Sequence, residues 1–109
     1  MLFRSVGFVN AAAAAELDAL PLDMRTRFLR FADLFRERGV AGMREPWAKH
    51  LTGKLWELRL TGRDGIARSI YVTASRQRVI VLRTFVKKTQ KTPPREMEIA
   101  LARMKEIPE

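Results

Sequence analysis

Cysteine is absent from this 109-residue chain, and histidine and tyrosine occur once each. No disulfide framework, thiolate nucleophile or thiolate metal ligand is therefore available, and His50 alone cannot build a multi-histidine metal centre. A protein of a reducing cytoplasm, without metal or cofactor, is the expectation. Long hydrophobic runs are missing as well. The alanines at 11 to 15 lead directly into Glu16 and Asp18, Met1 to Val6 lacks the apolar stretch of a signal peptide, and no segment is long enough to span a bilayer. No membrane partner is expected. With neither internal repeats nor a low-complexity linker, the length predicts one domain over residues 1–109.

Acidic residues are scarce in one place only. The formal net charge is +9, and the segment from Lys49 to Lys91 holds eleven Lys and Arg against two acids, Glu57 and Asp64. The remainder is balanced, with ten basic and ten acidic residues. Charge confined to one contiguous segment suits a surface for a polyanion such as nucleic acid. A small domain also carries a charged face for solubility alone, so both readings stand at this point.

Periodicity places the elements. Residues 2 to 9, rich in Phe and Val, read as a short strand. Asn10 is an N-cap for a helix from Ala11 to about Ala19, closed off before Pro21. A second helix is predicted from about Leu22 to Arg38, where Met24, Phe28, Phe31, Ala32 and Phe35 form one apolar stripe and Gly39 follows at C′. Arg25, Arg27, Arg30, Arg36 and Arg38 lie largely off that stripe and read as a solvated face. Residues 40 to 53, with Gly42, Pro46 and Gly53, read as a loop.

Three strands then form a meander: Lys54 to Leu60, Ile66 to Thr73 and Val79 to Phe85, with turns at Thr61–Gly65 and at Ser75-Arg76-Gln77-Arg78. In the first of them Trp56, Leu58 and Leu60 point one way and Leu55, Glu57 and Arg59 the other. A last helix is predicted from Pro93 to about Glu106, with Thr92 as cap and Met97, Ala100, Leu101 and Met104 as its apolar side. The fold class is α+β: a mostly antiparallel four-stranded sheet, two N-terminal helices and a C-terminal helix. The helices are expected to cover one sheet face and leave the other free.

That free face is where chemistry is expected. The strand Val79 to Phe85 feeds Val86-Lys87-Lys88-Thr89-Gln90-Lys91-Thr92-Pro93, in which three lysines in five positions present donors to an anion, phosphate being the obvious one. Glu57 and Arg59 share a face by parity. Cleavage of RNA by its own 2′-hydroxyl needs a proton acceptor and cations to stabilise the phosphorane. Glu57 is the candidate base, and Arg59, Arg68 and Lys87 are the candidate charge stabilisers. A cross-strand ion pair between Glu57 and Arg59 is the competing reading. Strict alternation puts Arg68 with Ile66 and Ile70, so reaching this face calls for a bulge or an edge position. Lys49, Lys54, Arg83, Lys88 and Lys91 are the candidate RNA contacts. His50 reads either as a general acid or as a loop histidine, Trp47 as a stacking residue or an edge plug, and Tyr71 as stacking or packing.

The run Lys49-His50-Leu51-Thr52-Gly53-Lys54-Leu55-Trp56-Glu57-Leu58-Arg59, then Arg68-Ser69-Ile70-Tyr71, Val81 through Pro93 and Glu98-Ile99-Ala100, resembles the phage-derived HigB-like branch of the RelE superfamily. The resemblance covers nearly the whole chain. It implies the toxin of a type II toxin-antitoxin system, neutralised by a helix-turn-helix antitoxin and cutting mRNA on the ribosome. It also implies catalytic positions at Glu57, Arg59, Arg68 and Lys87, with Lys88 in the basic cluster. Where some relatives carry a histidine near the end of the last strand, this chain has Arg83, which holds its proton at neutral pH. Two alternatives stay open: a non-catalytic RNA- or DNA-binding module, and a degenerate phage-derived relative that retains only antitoxin binding.

Overall fold

The computed structural model describes residues 3–43, 47–75, 77–88 and 90–108. Pro46, Arg76 and Thr89, named above in the loop, the turn and the lysine run, lie outside the described residues. The elements run β1 (Ser5–Phe8), α1 (Ala11–Asp18), α2 (Leu22–Arg38), a 3-10 turn (Gly39–Gly42), β2 (Ala48–Thr52), β3 (Leu55–Gly62), β4 (Gly65–Ala74), β5 (Arg78–Val86) and α3 (Pro94–Met104).

Local chemistry accounts for the helices. The Asn10 side chain accepts from the Ala13 N–H at 2.9 Å and starts α1. The predicted stripe of α2 is the buried one: Met24, Phe28, Phe31, Ala32 and Phe35. Gly39 ends the helix with φ +68, a left-handed value that glycine takes without strain, and its N–H reaches the Phe35 carbonyl. Arg4 satisfies the orphan carbonyls of Arg36 and Glu37 at 3.0 and 3.3 Å, placing a cation at the helix C-terminus. At the other end α2 lies hard against β3. A Cβ on Gly62 would come within 2.7 Å of Met24, so only glycine fits that approach.

The sheet has five strands, one more than the sequence suggests, in the order β1-β5-β4-β3-β2. β1 pairs with β5 in parallel, and the other pairings are antiparallel. The additional strand, β2, lies in the stretch read as a loop. It is an edge strand whose Lys49, His50 and Thr52 are exposed, so it carries no alternation of apolar and polar residues to read.

Helices cover both faces, which corrects the expectation of a free one. α2 packs with Leu58, Leu60, Tyr71, Val79 and Val81 in one core layer. On the reverse face Leu55, Ile70, Val72, Ile80 and Leu82 bury against Ala100, with Met97 and Met104 of α3 packed alongside. The reason is that β4 and β5 are apolar on both sides, as a central strand must be when both faces are covered. Leu101, placed on the apolar side of the last helix, is exposed, and α3 ends at Met104. Between Ile70 and Tyr71 the β4–β5 register slips, so Ile70 faces Arg83 while Tyr71 faces Val81, leaving Leu82 as the extra residue. This bulge turns Arg83 onto the α3 face, whereas unbroken alternation with Val79 and Val81 would have aimed it at α2.

Candidate phosphate-binding face

Cross-strand register gathers the charges. Lys49 lies opposite Glu57, Arg59 opposite Arg68, and Arg68 opposite Phe85, two residues before Lys87. The Lys87 N–H donates to the Ile66 carbonyl at 2.7 Å and extends the β4–β5 ladder by one bond. Arg68 therefore sits with Ile66 and Ile70, as alternation requires, and needs no bulge. Ile66 and Ile70 share the face of Glu57 and Arg59, so the conflict foreseen from the sequence does not arise.

Glu57 differs most from expectation. It is 0% exposed, and Arg68 is 3% exposed. Arg68 Nη1 lies 2.9 Å from Glu57 Oε1, and the Thr92 hydroxyl donates to Glu57 Oε2. Arg68 also donates to Thr92 Oγ1 at 3.1 Å and to the Gln90 carbonyl at 3.0 Å. The carboxylate is thus enclosed by Arg68 and Thr92, and its partner is Arg68 in place of Arg59. In this arrangement the carboxylate expected to act as base presents no surface to a bound hydroxyl, and both of its oxygens face Arg68 or Thr92. Thr92 was expected as the cap of the last helix. It does not cap α3, which begins at Pro94 behind Pro93 with no side-chain cap.

What faces solvent is positive. Lys49 is exposed, and Arg59 and Lys87 are partly exposed. Arg59 Nε and Arg68 Nε are buried without a hydrogen-bond partner among the described residues. Loss of hydration pushes the Lys87 ammonium below its ordinary value, and the charges of Arg68, Arg59 and Lys49 push it further, against the opposing pull of Glu57. Lys87 is therefore easier to deprotonate than a lone surface lysine.

Arg83 is committed elsewhere. Its guanidinium bonds Glu16 at 2.6 Å and Glu96 at 2.8 Å, and Arg103 bonds the same Glu16 at 2.8 Å. Glu16 also accepts from the Thr84 N–H, and Arg103 donates to the Leu82 carbonyl, so these side chains cover the edge of β5 beyond the end of β1. The arginine taken from the sequence as an RNA contact is a tie between α1, β5 and α3. Burial raises the Glu16 carboxyl, but the Arg103 hydrogen bond, the Thr84 N–H and Arg83 together outweigh it and hold the group below its ordinary value. A lowered folded value stabilises the fold above the unfolded pKa and is lost as pH falls through the folded one. Glu16→Gln is thus expected to cost about 2 kcal/mol at neutral pH, with the gap to wild type narrowing below about pH 4. Urea midpoints across pH check this, and a gap that widens on acidification would refute it.

The other candidates scatter. Lys54 sits at the β2–β3 turn with Trp56, Met104 and Lys105 around a separate cleft. Lys88 and Lys91 are exposed between β5 and α3. His50 lies on β2, with Nε2 2.8 Å from the Gly53 carbonyl and its ring against Trp56. Tyr71 is core, tilted against Phe31, and burial raises its phenol. Trp47 lines a cleft of about 320 Å³ on α2 with Phe31 and Leu34. Among the described residues no group of three or more His, Asp or Glu is placed to hold a metal, and no helix is long and apolar enough to cross a membrane. Thr92, Glu16, Glu96 and Arg103 were not singled out for these contacts, because their partners lie between 13 and 87 residues away.

The profile of the family described as "Phage derived protein Gp49-like (DUF891)" matches residues 15–105. Among solved structures, the chain is similar to a chain in the crystal structure of the archaeal RelE-RelB complex from Pyrococcus horikoshii OT3. The TM-score is 0.59 and the identity 24%, over 79% of this chain and 96% of that one. At that identity the likeness is one of fold. No curated protein matches the chain.

Proposed function

This chain belongs to the phage-derived Gp49-like family, and from that premise we propose that it is the toxin of a type II toxin-antitoxin module, acting as a ribosome-dependent mRNA endonuclease. The fold it shares with a chain of an archaeal RelE-RelB complex supports an antitoxin as its protein partner, and the helix-turn-helix type is taken from the sequence resemblance alone. One observation carries the chemistry. Lys49, Arg59 and Lys87 carry their charge to one face beside the buried Glu57–Arg68 pair, so among the described residues a substrate there would meet cations. Such a face suits a phosphodiester whose charge grows during reaction. The RNA 2′-hydroxyl would attack the adjacent phosphorus, closing a 2′,3′-cyclic phosphate as the P–O5′ bond breaks, and the leaving 5′-oxygen would take a proton from water to become a hydroxyl. Lys87, whose ammonium gives up its proton more readily than an ordinary lysine's, would take the hydroxyl proton in its neutral form, and Arg59 would stabilise the phosphorane. The ribosome would align the strand for in-line attack.

Induction of the chain alone is expected to arrest growth, and mRNA recovered from arrested cells should carry 2′,3′-cyclic phosphate ends. Where the neighbouring reading frame encodes a small helix-turn-helix protein, its co-expression should restore growth. Normal growth with abundant soluble protein would sink the proposal. Arrest with intact mRNA would leave a non-catalytic RNA-binding module.

A further inference from the structure

Burying a complete ion pair adds little stability over apolar residues of the same volume, so Glu57 and Arg68 at the centre of the sheet call for another reason. Their contacts supply one. Arg68 donates to the Gln90 carbonyl and to the Thr92 hydroxyl, and the same hydroxyl donates to Glu57. Both buried charges are thus spent on the segment between β5 and α3, which carries Lys87, Lys88 and Lys91. A hydroxyl donates once and accepts as well, so Thr92 can bridge a carboxylate and a guanidinium at the same time. Its near end is fixed by the Lys87 N–H on the Ile66 carbonyl. Thr92 fixes the far end.

We infer that Glu57, Arg68 and Thr92 form a latch that holds this lysine-bearing segment on the sheet, with Thr92 as a positioning residue for the phosphate contacts of Lys87 and Lys88. The inference rests on the RNA-binding reading above. With the latch closed, the cations stand in place before a polyanion arrives. With it open, they have to be ordered during binding, and affinity falls without loss of a phosphate contact.

Two substitutions separate the hydroxyl from the bulk of the side chain. Thr92→Val keeps the shape and removes the bridge, and Thr92→Ser keeps the bridge. Trypsin cuts after Lys87, Lys88 and Lys91, so limited digestion of the native full chain reports opening of the segment. Thr92→Val is expected to be cut there about tenfold faster than wild type, with cutting elsewhere unchanged, and Thr92→Ser to stay within about twofold. For binding of a single-stranded RNA oligonucleotide over a salt series, Thr92→Val should weaken affinity about tenfold at every salt concentration with an unchanged slope. Lys87→Ala should lower the slope by about one. Equal tryptic rates for Thr92→Val and wild type, or failure of Thr92→Ser to restore protection, overturn the latch. Faster cutting with unaltered RNA affinity overturns the positioning role. If wild type and Lys87→Ala behave alike toward RNA, the reading of the face falls and the positioning role with it, while the tryptic comparison still decides the latch.

Discussion

Arg68→Ala is expected to cost about 3–5 kcal/mol of folding stability, a large part of the roughly 5–15 kcal/mol typical of a small domain. The substitution removes the ion-pair partner of the buried Glu57 carboxylate and frees the Gln90 carbonyl and Thr92 from their anchor. Loss of toxicity in this variant would therefore report on folding as much as on chemistry. The paired change Glu57→Leu with Arg68→Met removes both charges and should recover most of the loss, because a buried pair gives little advantage over apolar residues of similar volume. Urea denaturation of the three proteins measures it. If Arg68→Ala unfolds at the wild-type urea concentration, the pair is not buried as described.

The second large effect falls on the solvent-facing cations. Lys87→Ala and Arg59→Ala should each slow single-turnover cleavage on programmed ribosomes by about 10²-fold, with urea midpoints close to wild type because neither residue is fully buried. The pH dependence distinguishes the two roles. Lys87 is held below the ordinary lysine value by lost hydration and by neighbouring cations. The wild-type rate should accordingly rise with pH and level off below the pH at which a free lysine titrates. Lys87→Arg keeps the charge and cannot deprotonate, so it should lose that rise. An unchanged profile in Lys87→Arg would leave Lys87 as a charge stabiliser only.

Much of this was legible locally. The α2 stripe, the Asn10 cap, the Gly39 stop and the opposed faces of β3 follow from repeats of 3.6 and 2 residues, which the chain writes into neighbouring positions. β2 was not legible, because an exposed edge strand needs no apolar alternation. The candidate face was half legible. Parity put Glu57 and Arg59 together, but parity does not say whether a face meets water or protein.

The sequence by itself determined the element types apart from β2, the concentration of the +9 charge between Lys49 and Lys91, and the parity that puts Glu57 with Arg59, while the β3–β4 register put Arg68 on that same side. Only the tertiary structure decided that Glu57 is enclosed by Arg68 and Thr92, that Arg83 serves as a tie to Glu16 and Glu96, and that Lys87 keeps a path to solvent. The division has a physical reason. Periodicity is a property of adjacent residues, whereas desolvation and ion pairing depend on which distant segment lies across the gap. Here that segment is the approach to α3, together with a one-residue bulge at Leu82 that no local pattern records.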